Sequence, residues 1–464
     1  MNTSVKTRFA PSPTGLMHFG SLRTAFFNYL YAKHMGGSFL LRIEDTDASR
    51  SEKQYSEAIL ADMAWIGLEW QEGPYYQSER QAIYDKYYQI LKTNGRVYPC
   101  FCTEEQLAIT RKIQLSRGQP PRYPGTCRQL SQEEVDRKVS QGMPFALRFE
   151  VPKAQIVEFH DLIKGMQRFE TDHIGDFIIR RNDGSASFMF CNAIDDSLMG
   201  ITHALRGDDH LTNTPRQILI LQALGLPIVR YGHFPTILGP DSRKLSKRNG
   251  SRSIQELRTE GYLPFGILNY LSRLGHFDAD SQFLDPATLC AHFNLEHISH
   301  APAHYDAAQL NHWQKEAMHR LSKEACWQIL MPYVAEWVPE DRTLAFVECV
   351  QPNLIMPSDA LVWAKAIFAE TLSYSEEILN TIRNAKFLFF QTAMQLLNEP
   401  GMTFQLLVNR LQQATGKKGR EIFFPLRAAL TGELHGPELA KMLDLMGNEK
   451  AQIRLAKAAS YADL

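Results

Sequence analysis

The feature that most constrains the fold lies in the first 47 residues. Val5–Phe9 is a short, partly β-branched run that enters Ala10-Pro11-Ser12-Pro13-Thr14-Gly15, a strand leading into a turn-forming loop. Ser21–His34 then places Leu22, Phe26, Tyr29 and Leu30 at helical spacing, and Gly36-Gly37 ends that helix. Phe39–Ile43 reads as a buried strand ending in Glu44-Asp45-Thr46-Asp47. Strand, loop, helix, strand is the start of a βαβ unit, which implies a parallel sheet with its ligand at the carboxyl ends of the strands. The loop 11–20 and the acidic turn 44–47 are therefore placed for a site.

Beyond that start the pattern changes. From about Tyr84 to Asp172 it holds Cys100-Phe101-Cys102, a basic Gly/Pro-rich stretch (Arg117–Arg128), a polar helix and short strands, which reads as an insertion in the α/β domain. The α/β pattern returns with Phe188–Ile194, a helix over Pro215–Leu224 and the run Ile228–Leu238. It ends in a basic loop, Arg243-Lys244-Leu245-Ser246-Lys247-Arg248. After Ser253 helical periodicity dominates, as in Leu321–Met331 and Thr403–Gln413, and no further strand is expected. With 464 residues the chain is long enough for several structural units. A net charge of −1 decides nothing about a nucleic-acid partner, since local patches matter more than the sum. The seven cysteines are an odd number scattered along the chain and do not form a disulfide framework. No apolar run is long enough to span a bilayer and no signal peptide is visible, so a cytoplasmic, reducing setting is expected.

Two separated segments carry the chemistry. The first is Arg8–Gly15 with Leu16-Met17-His18-Phe19-Gly20-Ser21; the second is Lys244-Leu245-Ser246-Lys247-Arg248. Together they resemble the two signatures of class I aminoacyl-tRNA synthetases. The form RFAPSPTG resembles the bacterial-type glutamyl-tRNA synthetases in particular. The segments LRIEDTD (41–47), GPYYQSER (73–80), ITHALRGDDHLTNTPRQ (201–217), GYLPFGILNYLSRLG (261–275) and PLRAALTGELHGP (425–437) fit the same family in the same order. This resemblance implies a Rossmann-type α/β catalytic domain with an α+β insertion, followed by an all-α C-terminal region. The corresponding divisions are 1–83 and 188–255 for the catalytic domain, 84–187 for an insertion that meets the tRNA acceptor end, 256–325 for a stem-contact domain, and 326–464 for an anticodon-binding domain.

The residues support that chemistry on their own terms. His18 stands just before a helix N-terminus, where backbone N–H groups and the dipole favour phosphate. Lys247, with Lys244 and Arg248 beside it, offers an ammonium that can follow charge developing on a phosphate. Alone, His18 reads as a loop histidine satisfied by backbone and the basic run as a solvated turn; paired in one α/β domain, they read as an adenylation site. His18, Lys244 and Lys247 are the catalytic candidates. Pro11, Ser12, Thr14, Gly15, His18, Gly20, Ser21, Leu245, Ser246, Lys247 and Arg248 are the candidates for ATP with its Mg²⁺. Arginine suits a carboxylate because its planar fork binds both oxygens. Arg8, Ser12, Glu44, Phe188, Asn192 and Arg206 are the glutamate-pocket candidates, their set implied by the resemblance. Phe188 departs from the family, which has Tyr there.

In some relatives the insertion holds a structural zinc through a CxC and a later Cys-x-His. Here position 129 is Gln, while Tyr123 stands four residues before Cys127, the spacing of a related truncated group. Cys100, Cys102, Tyr123 and Cys127 are thus a candidate zinc set, the alternative being a lost site with three thiols. From Asn380 to Ser460 eleven basic residues face six acidic ones, leaving 11 − 6 = +5, a modest patch for tRNA phosphates. The expected activity is ATP-dependent joining of L-glutamate to tRNA-Glu by a monomer. The rivals are a variant that charges tRNA-Gln, an idle tRNA-binding paralogue and a small-metabolite nucleotidyltransferase.

Overall fold

The computed structural model describes residues 4–47, 50–246, 250–278 and 280–462. It divides into two compact units, 1–259 with 267–307, and 260–266 with 308–464.

The first unit opens as expected. Strand β1 (Lys6–Phe9) is followed by helix α1 (Phe19–His34), and strand β2 (Ser38–Ile43) pairs parallel to β1, with Arg8 opposite Leu40. Helix α1 starts three residues before its first periodic leucine, Leu22, because His18 caps it. Helix α2 (Lys53–Ile66) ends at Gly67, whose φ of 82° is the left-handed turn a glycine C-cap provides. Strand β3 (Glu72–Tyr76) adds parallel to β2, and helix α3 (Gln81–Thr93) leads into the insertion.

The insertion pairs its strands antiparallel. β4 (Val97–Cys100) lies against β5 (Ala146–Phe149), β6 (Ile156–Asp161) and β7 (Gly165–Glu170) form a hairpin, and β8 (Phe177–Arg180) closes on β5. Helices α4 (Glu104–Ser116) and α5 (Gln132–Ser140) bury none of their residues, so caps carry more of their local stability. Both begin with capping boxes, Thr103 with Gln106 and Ser131 with Glu134.

Helix α6 (Phe188–Leu198) returns the chain to the sheet, where β9 (His203–Gly207) and β10 (Arg230–Phe234) flank helix α7 (Thr214–Leu224) and pair parallel. The backbone N–H of Thr202 donates to the carbonyl of Lys6 at 2.9 Å, which sets β9 beside β1. The parallel strands thus run β3-β2-β1-β9-β10, with Phe27, Leu41, Ile194, Leu205 and Phe234 all buried. One short element departs from expectation. Ala303–His304 pairs parallel with Ile237–Leu238, a bridge too brief to leave any periodicity in the sequence.

The second unit contains no strand among its described residues. Helices such as Lys323–Val334, Phe387–Leu397, Arg420–Thr431 and Asn448–Ala462 enclose Phe346, Ile367, Phe390, Leu426 and Leu455. Arg454 is buried there. Its guanidinium donates to the carbonyls of Ala366, Ala369 and Leu430, so its charge meets the C-terminal ends of two helices. No described helix is long and apolar enough to cross a membrane.

Candidate active site

A cleft of about 540 Å³ opens at the carboxyl ends of β1, β2 and β9. On one side lie Pro11, Ser12, Thr14, Gly15, His18, Gly20 and Ser21 from the first loop, with Lys244 and Leu245 from the second segment. On its other side are Arg8, Glu44, Phe188, Asn192 and Arg206. Ser246 does not line the cleft, and Lys247 and Arg248 lie outside the described residues.

His18 has a double role. It is the N-cap of α1, its Nδ1 accepting from the backbone N–H groups of Gly20 (3.1 Å) and Ser21 (3.4 Å). Partial desolvation in the cleft, followed by the Lys244 ammonium, pushes its pKa down, with Asp209 opposing. A neutral ring whose Nδ1 is an acceptor carries its proton on Nε2. Ser21 Oγ lies 3.4 Å from that nitrogen. A Cβ at Gly20 would stand 3.1 Å from His18 Cε1 and 3.2 Å from Nδ1, so the capping imidazole would have to give by a few tenths of an ångström. A Cβ at Gly15 would meet nothing within 4 Å among the described residues beyond its own chain neighbours. The two signature regions meet through backbone. His18 bridges Ser253, and the N–H of Ile254 donates to the carbonyl of Met17 at 2.9 Å. Lys244 Nζ is 3.2 Å from Asp209 Oδ2.

The two arginines differ in their surroundings. Arg8 Nε donates to Asp196 Oδ1 at 3.0 Å, and Arg42 reaches the same oxygen at 2.7 Å, all three side chains being buried. These guanidiniums hold the Asp196 carboxyl below its ordinary range although burial opposes them. Arg206 is also buried but makes no ion pair among the described residues. Its Nε donates to His233 Nε2 (3.2 Å), and its Nη2 to Thr214 Oγ1 (2.9 Å) and Gln217 Oε1 (2.7 Å). Nη1 has a single long contact, 3.5 Å to Asn192 Oδ1. Burial pushes the pKa of Arg206 down to about 10, with Arg8 adding to the effect and Tyr231, Asp196 and Glu44 opposing it. It remains charged at neutral pH and makes no direct ion pair among the described residues.

Glu44 accepts from Arg42 Nη2 (3.1 Å) and Asn192 Nδ2 (2.6 Å); burial raises its pKa while Arg42, Arg8 and the Asn192 bond lower it. Phe188 lies with its ring centroid 5.1 Å from that of His210, a histidine whose pKa burial and Arg206 drive down to about 4. Thr214, Gln217 and His233, which hold Arg206, escaped the sequence reading. Thr214 and Gln217 lie within the ITHALRGDDHLTNTPRQ segment but carry no residue-level signal of their own, and His233 is a lone histidine in an apolar run.

The candidate metal set is assembled in the insertion, apart from the cleft. The sulfurs of Cys100, Cys102 and Cys127 lie within 4.8 Å of one another, and the Tyr123 hydroxyl is 3.4 Å from Cys100 Sγ and 3.8 Å from Cys102 Sγ. The Cys102–Cys127 sulfur separation of 3.6 Å is close to the edge of about 3.8 Å in a tetrahedron with metal–sulfur bonds of about 2.3 Å. Three thiols and a phenol at these spacings fit zinc. Arg148, its guanidinium 3.7 Å over the Tyr123 ring, supplies a cation beside the anionic donors zinc would require.

Comparison with known proteins follows the same division. Residues 4–312 match the model of the catalytic domain of class I tRNA synthetases (E and Q), and residues 326–459 match an anticodon binding domain. The chain is similar to a glutamate–tRNA ligase 2 of Nitrosococcus oceani, 53% identical over 461 residues and covering 98% of each chain. It is 49% identical over 462 residues to a glutamate–tRNA ligase 2 of Coxiella burnetii, covering 98% of this chain and 99% of that one. A solved glutamate tRNA ligase from Elizabethkingia meningosepticum, in complex with its amino acid, superposes with a TM-score of 0.89 at 29% identity, covering 99% of both chains.

Proposed function

Because the chain belongs to the class I tRNA synthetases for glutamate and glutamine, we propose that it activates L-glutamate with ATP and transfers it to the 3′-terminal ribose of tRNA. The observation that carries the choice of amino acid is Arg206, a buried guanidinium in the cleft with no ion pair among the described residues and N–H donors to spare on Nη1. A neutral side-chain amide would leave that charge unmatched, whereas a carboxylate neutralises it. Arg8 already shares Asp196 and takes the lesser part, and Glu44 with Asn192 receives the α-ammonium.

In the first step a glutamate α-carboxylate oxygen attacks the α-phosphorus of ATP and pyrophosphate leaves. Mg²⁺ enters with the triphosphate as part of the substrate. His18 Nε2–H donates to the phosphate from the N-terminus of α1, and the Lys247 ammonium meets the charge that grows on it. In the second step the terminal 2′-hydroxyl of tRNA attacks the acyl carbon, and AMP leaves. The insertion (84–187) receives the acceptor end, 256–325 the stem, and 326–464 the anticodon arm. Zinc, held by Cys100, Cys102, Tyr123 and Cys127, would tie strand β4 to the segment carrying Cys127 and supply structure, not chemistry. The partner is tRNA-Glu, and tRNA-Gln is the alternative acceptor.

Charging assays with purified tRNA-Glu and tRNA-Gln test the reading. Glutamate should be esterified to tRNA-Glu, and glutamine should not compete. Preferential activation of glutamine would overturn the assignment of Arg206; charging confined to tRNA-Gln would overturn the choice of tRNA.

A further inference from the structure

The side chain that orients Arg206 is itself held from an unexpected direction. His233 is buried on β10, and its Nδ1 is 2.5 Å from Oδ2 of Asp161, which is equally buried and ends strand β6 of the insertion. The other oxygen, Oδ1, accepts from three backbone N–H groups, those of Ile163 (3.0 Å), Lys164 (2.8 Å) and His233 itself (3.2 Å). With its two oxygens divided in this way, Asp161 has one oxygen left for the imidazole, and that oxygen can only accept.

The bonds determine the state of the ring. Arg206 Nε–H has no lone pair, so His233 Nε2, which Thr214 Oγ1 also approaches at 3.1 Å, must accept from it. A protonated ring, or the tautomer with hydrogen on Nε2, would set two N–H groups against each other. Asp161 therefore keeps the hydrogen on Nδ1. With Nε held by His233, and Nη2 by Thr214 and Gln217, the Nη1 edge is left for a ligand.

We infer that Asp161 and His233 are positioning residues for amino-acid recognition, the insertion setting the tautomer that aims Arg206 at the substrate carboxylate. This rests on the reading of Arg206 given above. The substitution Asp161→Asn isolates the effect. Three backbone donors hold the amide oxygen at the Oδ1 position, which turns the amide nitrogen toward His233 Nδ1. That nitrogen must then accept, the ring hydrogen moves to Nε2, and it opposes Arg206 Nε–H.

The test measures tRNA-dependent ATP–pyrophosphate exchange in Asp161→Asn and Arg206→Lys, together with nitrogen-15 NMR of histidine-labelled protein, His233 being assigned from its missing signal in His233→Gln. The expected result has three parts. Wild-type His233 carries hydrogen on Nδ1, and Asp161→Asn moves it to Nε2. The KM for glutamate then rises about tenfold or more, the effect of one misdirected buried donor. The KM for ATP stays within about twofold, because His18 and its loop make none of these bonds. A wild-type ring with hydrogen on Nε2 overturns the inference whatever Asp161→Asn does. So does a tautomer switch that leaves the glutamate KM unchanged, or one that raises both KM values alike. If Arg206→Lys leaves glutamate use untouched, the reading of Arg206 falls and the inference with it. If Arg206→Lys is impaired and Asp161→Asn is not, only the relay falls.

Discussion

At the level of single residues, mutagenesis can separate the capping task of His18 from the phosphate contact proposed for it. Its Nδ1 caps α1, and its Nε2, with Ser21 Oγ at 3.4 Å, is the atom proposed to meet phosphate. Asparagine can accept from the same backbone N–H groups but cannot reach as the imidazole does. His18→Ala should therefore lower both stability, by about 1 kcal/mol, and the exchange rate. His18→Asn should recover the stability and not the rate. Equal thermal unfolding of the two variants would remove the capping role. Lys247 is the firmer case for chemistry. Lys247→Ala should slow tRNA-dependent ATP–pyrophosphate exchange on the order of 10²–10³-fold, while glutamate and tRNA dissociation constants move only a few-fold. Lys244→Ala should do less, since Lys244 already has Asp209 at 3.2 Å. An unchanged exchange rate in folded, tRNA-binding Lys247→Ala would exclude the loop from catalysis. Much of this site was legible beforehand. The loop at 8–21, Glu44, Asn192 and Arg206 line one cleft, because strand ends in a βαβ unit converge wherever the intervening helices lie. The support of Arg206 was not legible. Asp161 and His233 are 72 residues apart, and their contact leaves no periodicity in either segment.

Among the elements, the insertion depends most on local devices. Helices α4 and α5 bury no residue, and a small cluster of Cys100, Phe101 and Cys127 is what holds β4 to the segment 123–130. A core that small gains from a staple. Metal analysis of protein purified without chelators should find about one zinc per chain. Removing it, or substituting Cys127→Ser, should increase proteolysis between residues 103 and 126 while the catalytic cleft still binds ATP. Zinc-free protein with three freely titrating thiols near residue 100 would show that Gln129 marks a lost site. The same segment shows what spacing alone can and cannot say. The Tyr123–Cys127 interval was visible in the sequence, but only the fold shows the phenol 3.4 Å from Cys100 Sγ.

For the whole molecule, the charge count over 380–460 overstated the surface available to RNA. Arg454 is buried against three carbonyls; Lys417, Lys450 and Lys457 donate to the carbonyls of Ala385, Phe368 and Leu372; and Arg410 pairs with Glu399. These cations serve helix ends and ion pairs of the second unit, a use that a sum of charges cannot distinguish from solvent exposure. Lys386, Lys418 and Arg420 remain exposed. They accompany Phe387, Leu388 and Phe423, large apolar side chains that are 38%, 68% and 42% exposed. The bond from Lys417 Nζ to the carbonyl of Ala385 draws the two segments together. Cations beside exposed aromatic rings suit an RNA loop, where phosphates meet charge and splayed bases stack. Replacing Lys386, Lys418 and Arg420 together by Gln should weaken tRNA binding and reduce the slope of log K against log salt by roughly 2, since each neutralised phosphate contributes about 0.7–0.9. Phe423→Ala should weaken binding too but leave the slope intact, because stacking releases no counterions. Glutamate and ATP affinities should be unaffected by either change. A triple variant with an unaltered salt slope would move the RNA-facing surface elsewhere on the helical unit, and a slope that fell with Phe423→Ala alone would mean the aromatic change had displaced the neighbouring cations.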